Sequence, residues 1–181
     1  GALGHGLRRS IRQRRGVGGA QPGAARPARS VLEACDGDPA SPAGGAQTVA
    51  AGALSNRDGQ IVSGGTLNVT ATSDLLNQGG TLQAAGAFSV NAGSLDNTGG
   101  HVAALGADGL TLTTTGLLNN GASGTGVGTI GGNGDLSVNA DTLSNTNGAQ
   151  LVSGHDLTLS IAQLADNTNA TLSATNNVTL N

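Results

Sequence analysis

The chain has no tryptophan, tyrosine or methionine and a single phenylalanine, so aromatics make up 1% of it. Aromatic rings supply much of the buried area in an ordinary globular core. Without them, a fold needs a thin core that small aliphatic side chains can fill. Charged residues are scarce too, at 10%, against roughly a quarter of a typical globular sequence. Lysine is absent, which excludes a phosphate loop of the Gly-Lys-Ser/Thr kind. The one cysteine, Cys35, excludes an intrachain disulfide. That fits a reducing compartment or a secreted bacterial protein that avoids cysteine. No apolar run approaches the ~20 residues of a membrane-spanning helix. No apolar signal core stands near the N-terminus. Arg8-Arg9-Ser10-Ile11 resembles a twin-arginine opening, but the Gly/Ala/Pro/Arg stretch after it has no hydrophobic core.

What remains falls into two segments. Residues 1–50 hold seven arginines and three acids, a net +4, and the four prolines break any regular element. Such a stretch buries too little apolar surface to offset its ordering entropy. It is expected to be disordered. A basic tail that binds nucleic acid or anionic lipid and a misread frame of GC-rich DNA are the alternative readings. Residues 51–181 hold Arg57 and eight aspartates, a net −7. That charge and the missing aromatics disfavour nucleic-acid binding by this segment.

The second segment is repetitive. A Leu followed two residues later by Asn or Asp recurs as Leu54/Asn56, Leu75/Asn77, Leu95/Asn97, Leu117/Asn119, Leu143/Asn145 and Leu164/Asp166. A second apolar station follows at Ile61, Leu82, Val102, Ile130, Leu151 and Leu172. A third is an apolar-x-apolar step: Leu67/Val69, Phe88/Val90, Leu110/Leu112, Leu136/Val138, Leu157/Leu159 and Val178/Leu180. The fourth copy carries a glycine-rich insertion, Gly121–Gly128.

Period-two apolar steps belong to strands with one buried face. Gly-Gly, Asn-x-x-Gly and Ser-Gly between them are turn signals. Three short strands and three turns per copy leave no room for a helix. The pattern predicts an all-β fold, a three-sided parallel β-helix of about six coils over residues 51–181. Coils stacked at ~4.8 Å make a rod of roughly 29 Å. Turn asparagines are expected to form amide ladders. Neither end of the array has an obvious polar cap, which points to a segment of a longer array.

Leu54-Ser-Asn56-Arg-Asp-Gly-Gln-Ile61, Leu95-Asp-Asn97-Thr-Gly-Gly-His-Val102 and Leu143-Ser-Asn145-Thr-Asn-Gly-Ala-Gln-Leu151 resemble the haemagglutinin repeats of filamentous haemagglutinins. They are equally similar to the shafts of contact-dependent growth-inhibition toxins. The resemblance implies a right-handed parallel β-helix. It also implies two-partner secretion through an outer-membrane β-barrel transporter, a place on the bacterial cell surface or outside it, and a role in virulence. Family members adhere, aggregate or deliver a C-terminal toxin. The resemblance therefore implies an adhesive shaft that meets host or bacterial surface receptors or glycans, with toxin delivery as the alternative. The N-terminal secretion domain and the toxin domain of the family are not seen in these residues.

Catalytic or cofactor chemistry is not expected. Gly131-Gly132-Asn133-Gly134-Asp135-Leu136 is one residue short of a calcium-binding nonapeptide and does not recur. His101 and His155-Asp156 stand at ordinary turns, without a converging nucleophile. Polysaccharide lyases share the β-helix shape, but need clustered acids with a basic residue, and the eight Asp are spread over several coils. A lyase and a non-functional gene remnant are the remaining alternatives. Asn68-Val-Thr70, Asn169-Ala-Thr171 and Asn177-Val-Thr179 match the glycan acceptor pattern and equally suit plain strand residues. Insertions in solenoids project from the rod, so Gly121–Gly128 is the best local contact candidate.

Overall fold

The computed structural model describes residues 31–33, 45–124 and 126–181. The disorder or misread frame expected for residues 1–50 therefore lies, at 1–30 and 34–44, outside the described residues. The described residues form 18 strands and no helix.

Alternation makes the strands. In Leu67–Leu76, Leu67, Val69 and Ala71 are buried while Asn68 and Thr70 are half exposed. Leu157–Asp166 opens on the same pattern at Leu157 and Leu159. Each strand then pairs in parallel with its equivalent in the next coil. One six-stranded sheet stacks Gln60–Ser63, Thr81–Ala84, His101–Ala104, Thr129–Gly132, Gln150–Ser153 and Thr171–Ala174. Its register runs Ile61↔Leu82↔Val102↔Ile130↔Leu151↔Leu172, the second station of the sequence. The third station stacks as Leu67↔Phe88↔Leu110↔Leu136↔Leu157↔Val178. The longer strands then turn a corner, where register shifts fall between Ala71 and Asp74 and between Ala140 and Thr142. Beyond the corner they carry the column Leu54↔Leu75↔Leu95↔Leu118↔Leu143. The rod thus has three sides around one aliphatic core.

Phe88 is 3% exposed between Leu67 and Leu110 and is simply one wider core layer. In the last coil Val178 and Leu180 are uncovered, because no described coil stacks on them. At the other end, Gln47–Ala51 pairs with Leu67–Leu76, Val49 opposite Val69. Val31–Glu33 pairs with Ala53–Ser55, Leu32 opposite Leu54. Gln47–Ala51 is thus already part of the sheet.

One turn column takes the left-handed conformation: φ is +52° at Asp58, +63° at Gly79, +65° at Gly99, +59° at Asn147 and +52° at Asn169. Gly, Asn and Asp are the residues that tolerate it. Asn147 is exposed, so its side chain adds little packing. Replacing Asn147 by Ala is expected to cost about 1–2 kcal/mol, while Asn147→Gly stays within about 0.5 kcal/mol of the parent. Urea midpoints check this, and equal midpoints for the two variants would refute it.

Candidate functional site

Asparagines at the corner after the Leu column turn inward. Asn56, Asn77, Asn97, Asn120 and Asn145 are at most 1% exposed. Each donates its Nδ2 to the Oδ1 of the next: Asn56 to Asn77 at 2.7 Å, Asn77 to Asn97 at 2.7 Å and Asn97 to Asn120 at 2.8 Å. Asn120 donates to Asn145 at 2.7 Å, and Asn145 to Asn167 at 2.6 Å. A second Nδ2 proton reaches a strand carbonyl of the following coil, as from Asn77 to His101 O and from Asn120 to Gln150 O. The ladder has one direction. Its first acceptor, Asn56 Oδ1, has no partner among the described residues.

The structure corrects two positions of the repeat spacing. In the fourth coil the buried pair is Leu118 and Asn120, while Leu117 is 44% exposed. Asn119 instead points outward and donates to Asp96 and Thr98. Leu117-Leu118-Asn119-Asn120 satisfies Leu-x-Asn in either register. A slip of one residue exchanges the two faces. In the sixth coil Ala165 lies opposite Leu143 and Asn167 completes the ladder, leaving Leu164 60% exposed. Asn167 accepts from Asn145 and donates its own Nδ2 to Ala170 O, a donation that a carboxylate such as that of Asp166 cannot make. Asp166 accepts from the Thr168 hydroxyl and N–H, which hold its carboxyl below the usual carboxylate range.

The described residues of the insertion form a hairpin. Ala122–Ser123 pairs antiparallel with Gly126–Val127, and Gly128 N–H donates to Gly121 O at 2.7 Å across its base. It leans back over the preceding turns, and Gly126 lies against Gly99. Three turns stack beneath it through Asp58 N–H to Gln78 O, Gly79 N–H to Thr98 O and Gly99 N–H to Gly121 O. Between the turns and the hairpin lies a polar groove of about 460 Å³, walled by Arg57, Asp58, Gln78, Thr98 and Ser123, with Gly79 and Gly99 in its floor. The sequence reading passed over these turn residues. The signal was available: Arg57, Asp58, Gln78, Gly79, Thr98 and Gly99 are the middle residues of consecutive Asn-x-x-Gly turns in the three coils before the insertion.

The remaining candidates are scattered. His155 Nδ1 lies 3.8 Å from Asp135 Oδ1, both well exposed. Asp135 accepts from Asp156 N–H, and Asp156 from Asn177 N–H, so these acids tie one turn to the next. Among the described residues no group of three His, Cys, Asp or Glu side chains is placed to hold a metal. Gly131 and Gly132 sit in the strand Thr129–Gly132. Of the three sequon asparagines, Asn68 accepts from Ser89, Asn177 donates to Asp156, and Asn169 is exposed in its turn. No described helix is long and apolar enough to cross a membrane.

Parallel coils, an internal aliphatic column per side and a directional amide ladder define a β-solenoid repeat protein. The chain belongs to the haemagglutinin repeat family, which matches residues 42–107, 103–134 and 130–181. No curated protein and no solved structure matches it.

Proposed function

We propose that this chain is an adhesive shaft segment of a large secreted bacterial exoprotein. The observation that carries the reading is the division of labour in each coil. Every inward column is spent on stacking, and the long strands before their corner turn out two polar columns, Asn68↔Ser89↔Thr111↔Ser137↔Thr158 and Thr70↔Asn91↔Thr113↔Asn139↔Ser160. Such a surface offers many weak polar contacts in a fixed array, and repetition raises their effective concentration. It offers no aromatic hot spot. Asp96, Asp135 and Asp156 tie one turn to the next instead of converging on one nucleophile, so the reading is structural and not enzymatic. Haemagglutinin repeats are typical of secreted and cell-surface bacterial proteins. Export through an outer-membrane two-partner transporter and contact with host or bacterial surface receptors or glycans follow from that setting.

The test is attachment. Beads carrying the full chain are expected to adhere to epithelial or bacterial cells, and bead density should matter more than linearly. Equal attachment by beads carrying an unrelated protein of the same charge would end the reading.

A further inference from the structure

We infer that the groove beneath the hairpin is a binding site for an uncharged saccharide. The inference rests on the adhesive reading above and names the place and chemistry of one contact.

Arg57 is the one cation of the array, and Asp58 is its neighbour in the turn. Both are exposed on the groove wall. Neither side chain has a hydrogen-bond or ion-pair partner among the described residues. The turn backbone directs the carboxylate: a Cβ on Gly79 would stand 2.3 Å from Asp58 Oδ1, so this oxygen overhangs the floor. The wall therefore presents the five donors of a guanidinium beside a free carboxylate acceptor.

The other polar groups are partly committed. Gln78 Nε2 donates to Asp96, which leaves its carbonyl oxygen free. Thr98 donates its hydroxyl to Asp96 and accepts from Asn119. These bonds fix the wall in place. Ser123 completes it from the hairpin side. The floor is bare glycine, because the left-handed turn column carries Gly79 and Gly99 there.

Each feature selects the same chemistry. The charges on the wall sum to zero, so a strongly anionic or cationic ligand gains little. Adjacent donors and acceptors match vicinal hydroxyls, each of which donates and accepts. The side-chain-free floor admits a flat C–H face without an aromatic platform. The volume falls within the ~300–1,000 Å³ of small-ligand sites. With no ring to stack on, binding at one groove is weak, and many copies must share the load.

The test presents the full chain to a microarray of neutral, sialylated and sulfated oligosaccharides. Neutral glycans are expected to bind. Arg57→Ala and Asp58→Gly should each weaken that binding roughly tenfold, the loss of one charge-assisted bond. Asp58→Gly keeps the left-handed turn, and circular dichroism with a thermal melt checks both folds. Should one variant misfold, the other decides. Selection of sulfated or sialylated glycans alone, undiminished binding in a folded variant, or no glycan binding would each overturn the inference. Bead attachment measured in parallel separates the two readings. Attachment without glycan binding removes the groove and leaves the shaft. Arg57-dependent glycan binding without attachment does the reverse.

Discussion

Asn120→Asp is expected to destabilise the rod by about 3–5 kcal/mol at neutral pH, the cost of a buried charge left without a partner. Asn120 is fully buried. Its Oδ1 accepts from Asn97, and its Nδ2 donates to Asn145 Oδ1 and Gln150 O. A carboxylate keeps the first bond and loses the other two, because its second oxygen then faces two acceptors. The protonated acid can donate to one of them. Its pKa in the folded rod therefore rises above the ordinary ~3.9. The sign follows: below ~pH 4 both states carry the proton and the penalty is smallest. As pH rises, the unfolded chain ionises first, and stability falls until the raised folded pKa is passed. Urea midpoints at pH 4 and pH 7 should therefore differ more for the variant than for the parent. Asn119→Ala, one residue earlier, removes only outward bonds to Asp96 and Thr98 and should cost no more than about 1 kcal/mol. If Asn119→Ala proved the more damaging change, the ladder would run through the other register.

That pair of residues shows where sequence reading stops. The second and third stations stack in the register that their spacing indicates, because a Leu or Val flanked by Thr and Ser has only one face to bury. Leu117-Leu118-Asn119-Asn120 carries two overlapping copies of the same signal. Periodicity cannot choose between them, and the neighbouring coils do, by placing Leu95 and Leu143 against Leu118. In the sixth coil the obvious leucine misleads. Leu164 stays outside because the amide of Asn167, not the apolar side chain, fixes the corner. A polar ladder thus overrides an aliphatic match. The insertion was legible as a projection and illegible as a hairpin, since glycines carry no alternation. The groove needed the fold, which alone brings the hairpin back over turns some 25 to 65 residues earlier in the chain.

The turn that supports the groove also sets the limit on coil spacing, and Gly100→Ala is expected to exceed it. Gly100 is buried. An added Cβ would lie 2.0 Å from Asn77 O, 2.7 Å from Asn97 Oδ1 and 3.0 Å from Asn77 Nδ2. None of these atoms ends a flexible side chain: one is backbone and two belong to the ladder. Relief requires the second and third coils to separate. That strains the Asn77–Asn97 amide bond and the His101 N–H to Gly80 O bond together. Overpacking of about 1–3 kcal/mol and two weakened hydrogen bonds of about 1 kcal/mol each give a loss on the order of 4 kcal/mol. At this chain length that lowers the melting midpoint by roughly 8–16 °C. Gly80, Gly100, Gly128, Ala149 and Ala170 form one column, since Thr81, His101, Thr129, Gln150 and Thr171 pair in register after them. Alanine is thus accepted at its far end. The turn before Gln150 holds one extra residue, and its closing bond runs from Ala149 N–H to Thr146 O, where the tighter turn uses Gly100 N–H to Asn97 O. The wider turn makes room for a methyl group at Ala149, and Ala170, in a turn as short as that of Gly100, stacks on this wider turn. Ala149→Gly should accordingly cost only about 0.5–1 kcal/mol, the entropy of an added glycine. Calorimetry on the two variants tests the asymmetry. A Gly100→Ala melt within 2 °C or so of the parent would mean that the coils are less tightly stacked than their ladder bonds require.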